Sequence, residues 1–451
     1  MEKLFKLKQH NTNVKTEIIA GLTTFFTMAY IIFVNPNILG PGTPLEPGPA
    51  NMPPVAVMTA TCLAAAFGTF LIGALTNYPL AQAPGMGLNA VFAYTLCGAM
   101  GLSWTAALSA VFIAGIIFML LTVSGFRQAM INAIPLQLKK AISAGIGMFI
   151  ALIGFNNSGL LSSKTGTIIG MAPLKEPTTL LALFGLVLAI VLVVSKVPGA
   201  LFLSIIGTSI VGCICQFGFK INMGLSLPKS WVPTVDFTTF GKAFFGFKEF
   251  FQAPVMAIIS VMITLVLVDM FDTVGTLIGA ANKAGYLDKD GNLPKAEKAM
   301  FADATATAVG SVLGTSTVTT YVESTAGISA GGKTGLTSMV TTVCFLFALI
   351  LSPVLGFVPQ AATAPVLILV GVMMCSSLKE IEWTDIDVAI PSFLTVLTMP
   401  LFYSITNGLA FGFISYTIIK VCKGKFKEVH PIMYIIVILF IVKFVMENLH
   451  K

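Results

Sequence analysis

Two aspartates, Asp269 and Asp272, stand inside Val255–Ala281, an apolar run long enough to cross a bilayer. Lipid offers an ionised carboxylate no hydrogen bonds, so an acid at that depth is costly and must face protein or a water-filled cavity. A second anomaly lies further on. Gly314–Gly327 (GTSTVTTYVESTAG) is too polar and too rich in β-branched residues for a lipid-facing helix, and it carries Glu323. Acids inside membrane segments mark, by default, a substrate or ion site. The remaining chain must then supply the walls of that site.

Composition agrees with a membrane setting. Of 451 residues, 56% are hydrophobic and only 10% charged, and the mean hydropathy is +0.92, far above a soluble domain of this size. This defines a polytopic all-α membrane protein. The formal charge of +7 resides in lysines between apolar runs, where it orients the chain rather than gripping phosphate, so no nucleic-acid partner is expected. The seven cysteines lie mostly in apolar segments without histidine partners, so neither a metal site nor a disulfide framework is expected. His10, His430 and His450 lie at the chain's ends, which leaves no Ser-His-Asp or Cys-His arrangement and argues against an enzyme. Gly85-x-Gly87 lacks the third glycine and the strand–helix setting of a nucleotide fingerprint. The basic N-terminal stretch runs into a full-length apolar segment without a small-residue cleavage site, so it is expected to remain in the cytoplasm rather than act as a signal peptide.

Apolar runs predict membrane segments at Ile18–Leu39, Pro54–Leu75, Leu80–Met100, Thr105–Val123, Ala141–Leu161, Thr178–Ser195, Gly199–Phe217, Pro254–Ala281, Ala299–Leu313, Val318–Ala330, Thr334–Leu355, Ala361–Cys375, Val388–Tyr403 and Asn407–Val421. A further run, Ile432–Val445, follows a basic loop. Lys3, Lys6, Lys8 and Lys15 precede the first segment; Arg127, Lys139 and Lys140 follow the fourth. Lys283, Lys289, Lys295 and Lys298 follow the eighth, and Lys420, Lys423, Lys425 and Lys427 the last. All fall on the cytoplasmic side if the N-terminus is inside. The proline- and glycine-rich Pro41–Pro53 loop then lies outside, as does the loop from Gly218 to Phe250, whose lysines the long-loop exception tolerates.

Seven segments therefore precede that long loop and seven follow it, which makes the halves an inverted repeat. Phe25-Phe26-Thr27-Met28-Ala29 resembles Met270-Phe271-Asp272-Thr273-Val274, and Ala66–Gly73 resembles Ala308–Gly314. Such repeats meet near the bilayer midplane, where interrupted segments form the binding site. Here these are Ala83–Ala90 and Thr315–Gly327. Pro84, Gly85 and Gly87 break the helix and expose backbone amides that Asn89 can supplement. The alternating threonines before Glu323 suit a short strand that pairs with its counterpart in the third segment. Glu323 then falls near a helix N-terminus, whose amides are expected to hold its charge. Asp272 shares a helix face with Asp269 and Thr276, so either aspartate can face the site. Desolvation favours the neutral form of such an acid, which suits a proton carrier. Asp303 is expected to be a helix-start residue of the ninth segment.

At these positions the chain resembles the nucleobase–cation symporter-2 family, and within it the adenine/guanine/hypoxanthine permease branch. The resemblance is carried by GLTTFFTMAYIIFVNP at Gly21–Pro36, QAPGMGLNA at Gln82–Ala90, DMFDTVGTLIGAANKAG at Asp269–Gly285 and GTSTVTTYVESTAGI at Gly314–Ile328, and it covers nearly the whole chain. It implies a uracil-transporter-like fold of fourteen segments in two inverted sevens, with short antiparallel strands in the third and tenth. A core domain would comprise residues 1–123 and 254–355, a gate domain 124–217 and 356–451, and an extracytoplasmic loop 218–253. It also implies proton-coupled, elevator-like uptake of a purine base across the cytoplasmic membrane, with the proton gradient as energy source and no cofactor. In uracil- and xanthine-type relatives acids of the eighth and tenth segments bind the base; their matches are Asp272 and Glu323.

The implied substrate-binding set is Thr27, Gly87, Leu88, Asn89, Asp272, Thr276, Tyr321 and Glu323, with Asp272, Glu323 or Asp269 carrying the proton. Asp272 stands where uracil and xanthine carriers have glutamate, and Thr276 where uracil carriers have histidine, which leaves more room for a bicyclic purine. The expected partners are a purine nucleobase, protons and the lipid bilayer, with a homodimer as a candidate assembly. Ile432–Val445 exceeds the fourteen-segment plan. Two rival readings are an anion transporter of the sulfate/bicarbonate architecture and a passive facilitator or channel. The first is disfavoured by acids and no basic residue in the crossing segments; the second calls for a continuous polar stripe.

Overall fold

The computed structural model describes residues 2–41, 48–124, 133–162, 169–227, 231–286 and 293–449; Arg127, Lys289 and part of the Pro41–Pro53 loop lie outside these residues. In chain order the principal elements of the first half are α1 (Val14–Met28), α2 (Ile31–Leu39), α3 (Pro54–Thr76), β1 (Gln82–Pro84), α4 (Met86–Ala90), α5 (Trp104–Val123), α6 (Leu136–Asn157), α7 (Pro177–Val194) and α8 (Ala200–Cys213). The second half holds α9 (Val255–Ala284), α10 (Ala296–Leu313), β2 (Val318–Thr320), α11 (Ser324–Ser329), α12 (Gly335–Phe347), α13 (Gln360–Met374), α14 (Ile386–Leu401), α15 (Ile405–Cys422) and α16 (Pro431–Leu449). Among the described residues ten helices are long and apolar enough to cross a membrane, and three shorter apolar helices accompany them. This is a multi-pass helical membrane protein with few, short strands.

Several boundaries follow from local chemistry. Pro54 opens α3 at its first turn, where a missing N–H costs nothing, and Asn77 closes it in the left-handed region (φ 62°) with its N–H on the Gly73 carbonyl. Ser103 caps α5, its hydroxyl accepting from the Ala106 N–H, while its own N–H donates to Glu249 at 2.7 Å. The first predicted segment is not one uninterrupted helix. Its hydrogen bonds tighten at Ala29–Tyr30, where Ile32 N–H reaches the Ala29 carbonyl (3.2 Å) and Phe33 N–H the Tyr30 carbonyl (3.1 Å). Downstream of α4 the backbone widens into a π-helix, Val91–Ala99.

Two groups of helices pack closely. One contains α1, α2, α3, α5, α10, α11 and α12; the other contains α6, α7, α8, α13, α14 and α15. Small residues permit close backbone approach within each. A Cβ on Gly115 of α5 would lie 2.7 Å from the Ala308 nitrogen of α10, and one on Gly371 of α13 would lie 2.4 Å from the Gly147 carbonyl oxygen of α6. The terminal helix α16 packs on both α15 and α9, and its buried Lys443 donates to Asn407 Oδ1 of α15 at 2.9 Å. Thr264 of α9 also donates to the Thr406 hydroxyl oxygen of α15 at 3.0 Å.

Glu17, which sequence pattern leaves within a basic stretch, is fully buried. Its carboxylate accepts the backbone N–H groups of Lys333 (2.9 Å), Thr334 (3.3 Å) and Thr337 (3.2 Å), together with the hydroxyls of Thr337 (2.6 Å) and Thr12 (2.9 Å). It thereby caps the positive end of α12 from another helix. Glu17→Ala strands those buried donors, at a cost on the order of 1–3 kcal/mol. The expected result is a lower thermal unfolding midpoint of the detergent-solubilised protein; a midpoint equal to the parent's would refute the capping role.

Candidate functional site

The site grows from two short strands. β1 and β2 pair antiparallel in the register Gln82↔Thr320, Ala83↔Thr319 and Pro84↔Val318. The pairing continues through Tyr321 N–H to the Ala81 carbonyl and Gly85 N–H to the Thr317 carbonyl, both 2.9 Å. Pro84 and Gly85 stop β1, so α4 starts at once with Gly85 as its N-cap residue. Strand backbone at this depth exposes two edges whose polar groups need partners from protein. The Thr69 hydroxyl of α3 serves Gln82, accepting from its N–H (2.9 Å) and donating to its carbonyl (3.1 Å). Thr307 of α10 donates to the Val318 carbonyl (3.0 Å), and Ala81 N–H donates to the Ser324 hydroxyl (3.0 Å).

Asp303 completes this satisfaction and corrects the sequence reading. It is not a helix-start residue but lies inside α10, fully buried. Oδ1 accepts from Thr320 N–H (3.1 Å), the Thr320 hydroxyl (3.4 Å) and Gln82 Nε2 (3.3 Å); Oδ2 accepts from the Thr273 hydroxyl of α9 (2.8 Å). One carboxylate thus joins both strands, α9 and α10. Its meaning depends on remote donors, which no local pattern displays.

Next to Thr273, Asp272 turns toward the other side of the ladder. It is half-buried, and the Thr319 hydroxyl donates to Oδ2 at 3.4 Å. A Cβ on Gly85 would meet Thr319 Oγ1 at 2.9 Å and Asp272 Oδ2 at 3.5 Å, so the missing side chain is what admits the acid to the strand. Glu323 stands at the N-cap position of α11, as expected, yet its side chain makes no capping bond. The Tyr30 hydroxyl donates to Glu323 Oε1 instead, at 2.6 Å. Tyr321 donates to the Pro84 carbonyl at 2.5 Å, bracing the crossing. Tyr30, Asp272, Tyr321 and Glu323 lie within electrostatic reach of one another.

Other expected site residues are disposed differently. The Asn89 side chain is committed to a bond from the Ser316 hydroxyl, so it ties the two interrupted segments together. A Cβ on Gly87 would meet Ile146 Cγ2 of α6 at 2.7 Å, with Val268 of α9 at 4.0 Å, so this glycine marks a close approach of three elements. Leu88 is buried in the main apolar core. The Thr27 hydroxyl donates back to its own helix, to the Thr23 (2.5 Å) and Thr24 (3.1 Å) carbonyls. Thr276 is buried, and Asp269 fully so, on α9. Among the described residues no three metal-ligating side chains converge.

A helical fold whose interrupted segments cross through paired strands, with acids at the crossing, defines a membrane permease. Residues 15–410 match the Xan_ur_permease model, described as the Permease family, and the chain belongs to this nucleobase–cation symporter-2 family. It is 43% identical over 448 residues to the guanine/hypoxanthine permease PbuG of Bacillus subtilis, covering 99% of each chain. It is 39% identical over 450 residues to the adenine permease AdeP of Escherichia coli, covering 100% of this chain and 97% of that one. The transmembrane domain of the cyanobacterial bicarbonate transporter BicA shares the fold with a TM-score of 0.65 at 13% identity, covering 88% of this chain and 97% of that one. The relatives are permeases, not enzymes.

Proposed function

We propose that this chain imports a purine nucleobase by proton symport across the cell membrane. The observation that carries the reading is the pair of carboxylates, Asp272 and Glu323, brought from different elements to one crossing point, Glu323 against the Tyr30 hydroxyl and Asp272 against Thr319 of β2. The names of its relatives, guanine/hypoxanthine and adenine permeases, support the substrate class. In this reading Asp272 and Glu323 accept N–H groups of the base and the Tyr321 region packs on its ring. Backbone groups near Gly87, Leu88 and Asn89 read another edge, and Thr27 and Thr276 belong to the walls. Asp272 carries the proton, with Glu323 and Asp269 as the other candidate carriers. A neutral and an ionised acid bind the base differently, and that difference shifts the inward–outward equilibrium.

The same reading takes the chain as fourteen membrane segments in two inverted sevens, with the N-terminus in the cytoplasm and α16 as an addition. Residues 1–123 and 254–355 form the core that moves; residues 124–217 and 356–451 form the gate, and 218–253 an outer loop. The close packing within each of the two helix groups supports this division, with α9 at their junction and packed on both. An anion carrier of the BicA type is disfavoured, because an anion site calls for basic side chains and the interrupted segments hold acids.

The test is uptake of labelled hypoxanthine, guanine and adenine, with and without a protonophore, in cells lacking their own purine carriers. Accumulation that collapses with the protonophore is expected. Equilibration indifferent to it would replace the symporter with a facilitator, and uptake of none of the three by membrane-inserted protein would overturn the substrate class.

A further inference from the structure

Tyr30 lies within the Gly21–Pro36 motif but is not among the expected site residues, yet it is the side chain, among the described residues, that donates to Glu323. It is only 1% exposed. It sits where α1 gives way to α2, and its carbonyl accepts the tightened bond from Phe33 N–H (3.1 Å) and the ordinary helical bond from Val34 N–H (3.0 Å). The junction backbone is therefore fixed, and the phenol projects from it across 293 positions of sequence to the tenth segment. Glu323 does not cap its own helix; its carboxylate takes the phenol and a bond from its own backbone. A carboxylate accepts a fork of two parallel N–H groups through one acceptor site on each oxygen, and an oxygen that already takes a donor is a weaker acceptor for the next. Here Oε1 is already engaged at 2.6 Å.

We propose that Tyr30 is a positioning and specificity-determining residue: its hydroxyl takes one acceptor site of Glu323 Oε1 and weakens that oxygen as an acceptor, so the acid favours a single substrate N–H over a donor fork. The proposal rests on the purine reading above and deepens it. Hypoxanthine presents one N–H on the edge of its six-membered ring, whereas guanine presents that N–H beside an amino group, a ready fork. An acid with one oxygen engaged binds the first with its full preorganised strength and gains less from the second donor of guanine. Releasing Oε1 should cost the single-donor base its fixed acceptor and open the acid to the fork.

The experiment is Tyr30→Phe, which deletes one oxygen and keeps the ring, assayed for uptake of labelled hypoxanthine and guanine at matched membrane levels. The expected result is a rise of roughly tenfold in the hypoxanthine KM with Vmax nearly unchanged, because the carboxylate loses the bond that preorganises it for the base. Guanine should rise less, so the guanine-to-hypoxanthine ratio of Vmax/KM moves toward guanine by about threefold or more. Tyr30→His, whose shorter ring withdraws the donor from Oε1, should shift the same ratio in the same direction and serves if the phenylalanine variant does not reach the membrane. Unchanged KM values, equal losses for both bases, or a defect confined to Vmax would overturn the proposal. Uptake of no purine by the unsubstituted chain would overturn the purine reading and this proposal with it. Uptake of adenine alone would leave that reading standing and overturn the discrimination.

Discussion

Asp272→Asn is expected to abolish proton-driven accumulation of the base. The amide keeps the size of the side chain and its bond with Thr319, which lies 3.4 Å from Oδ2, so the crossing of β1 and β2 should survive. What disappears is the ability to alternate between charged and neutral forms. Asparagine resembles the protonated acid permanently, and a carrier whose two faces see the same protonation state has no differential affinity through which a gradient could act. Removing a charged acceptor for a substrate N–H also weakens binding by about 1.5–3 kcal/mol, which is on the order of 10- to 100-fold in KM. Labelled uptake at matched membrane levels should fall to equilibration, and the protonophore should no longer matter. Asp269→Asn supplies the contrast, since it removes the same charge one helical turn away at a fully buried position. Undiminished, protonophore-sensitive accumulation by Asp272→Asn would move the proton to Glu323 or Asp269.

The parts of this site that sequence announces are those whose signals are local. Pro84, Gly85 and Gly87 cannot continue a helix, and alternating threonines up to Thr320 suit a strand, so the pairing of β1 with β2 is legible in the sequence. The acids Asp272 and Glu323 announced themselves by their depth in apolar surroundings. Their partners did not. Tyr30 sits in an apolar helical run where an aromatic residue calls for no explanation, and only the fold brings its hydroxyl to Glu323. Asn89 reads as a supplement to the exposed amides, and nothing in its pattern shows that its Oδ1 takes the hydroxyl of a serine on the opposite interrupted segment. Glu17 lies in a basic stretch whose pattern gives it no role, and it ends up under the N-terminus of α12. These hidden partners share one cause. A strand edge or helix terminus inside a membrane protein must be satisfied by protein, and the group that satisfies it comes from wherever the fold happens to bring one.

Asp303 is the sharpest instance, and its removal should be the most damaging change to the folded structure. Asp303→Ala leaves the Thr320 N–H, the Gln82 amide and the hydroxyls of Thr273 and Thr320 without their common acceptor. The site is fully buried, so water cannot replace the carboxylate without opening the packing of α10 against the strands. Stranding a buried group costs about 1–3 kcal/mol; losing an acceptor shared among several donors should reach roughly 3–5 kcal/mol, at the upper end of single substitutions. Asp303→Asn retains one oxygen for Thr320 but turns an N–H₂ group toward donors that already need acceptors, so it should fall between alanine and the parent. Thermal unfolding of the detergent-solubilised variants ranks them directly, with the alanine variant expected to melt lowest, below Glu17→Ala. Uptake per folded molecule should fall in the same order, because β1 and β2 position Gly85 and Thr319 against Asp272. An alanine variant that melts with the parent would show that the strand edges draw their stability from elsewhere. Asp303 would then be a candidate for proton transfer rather than an anchor.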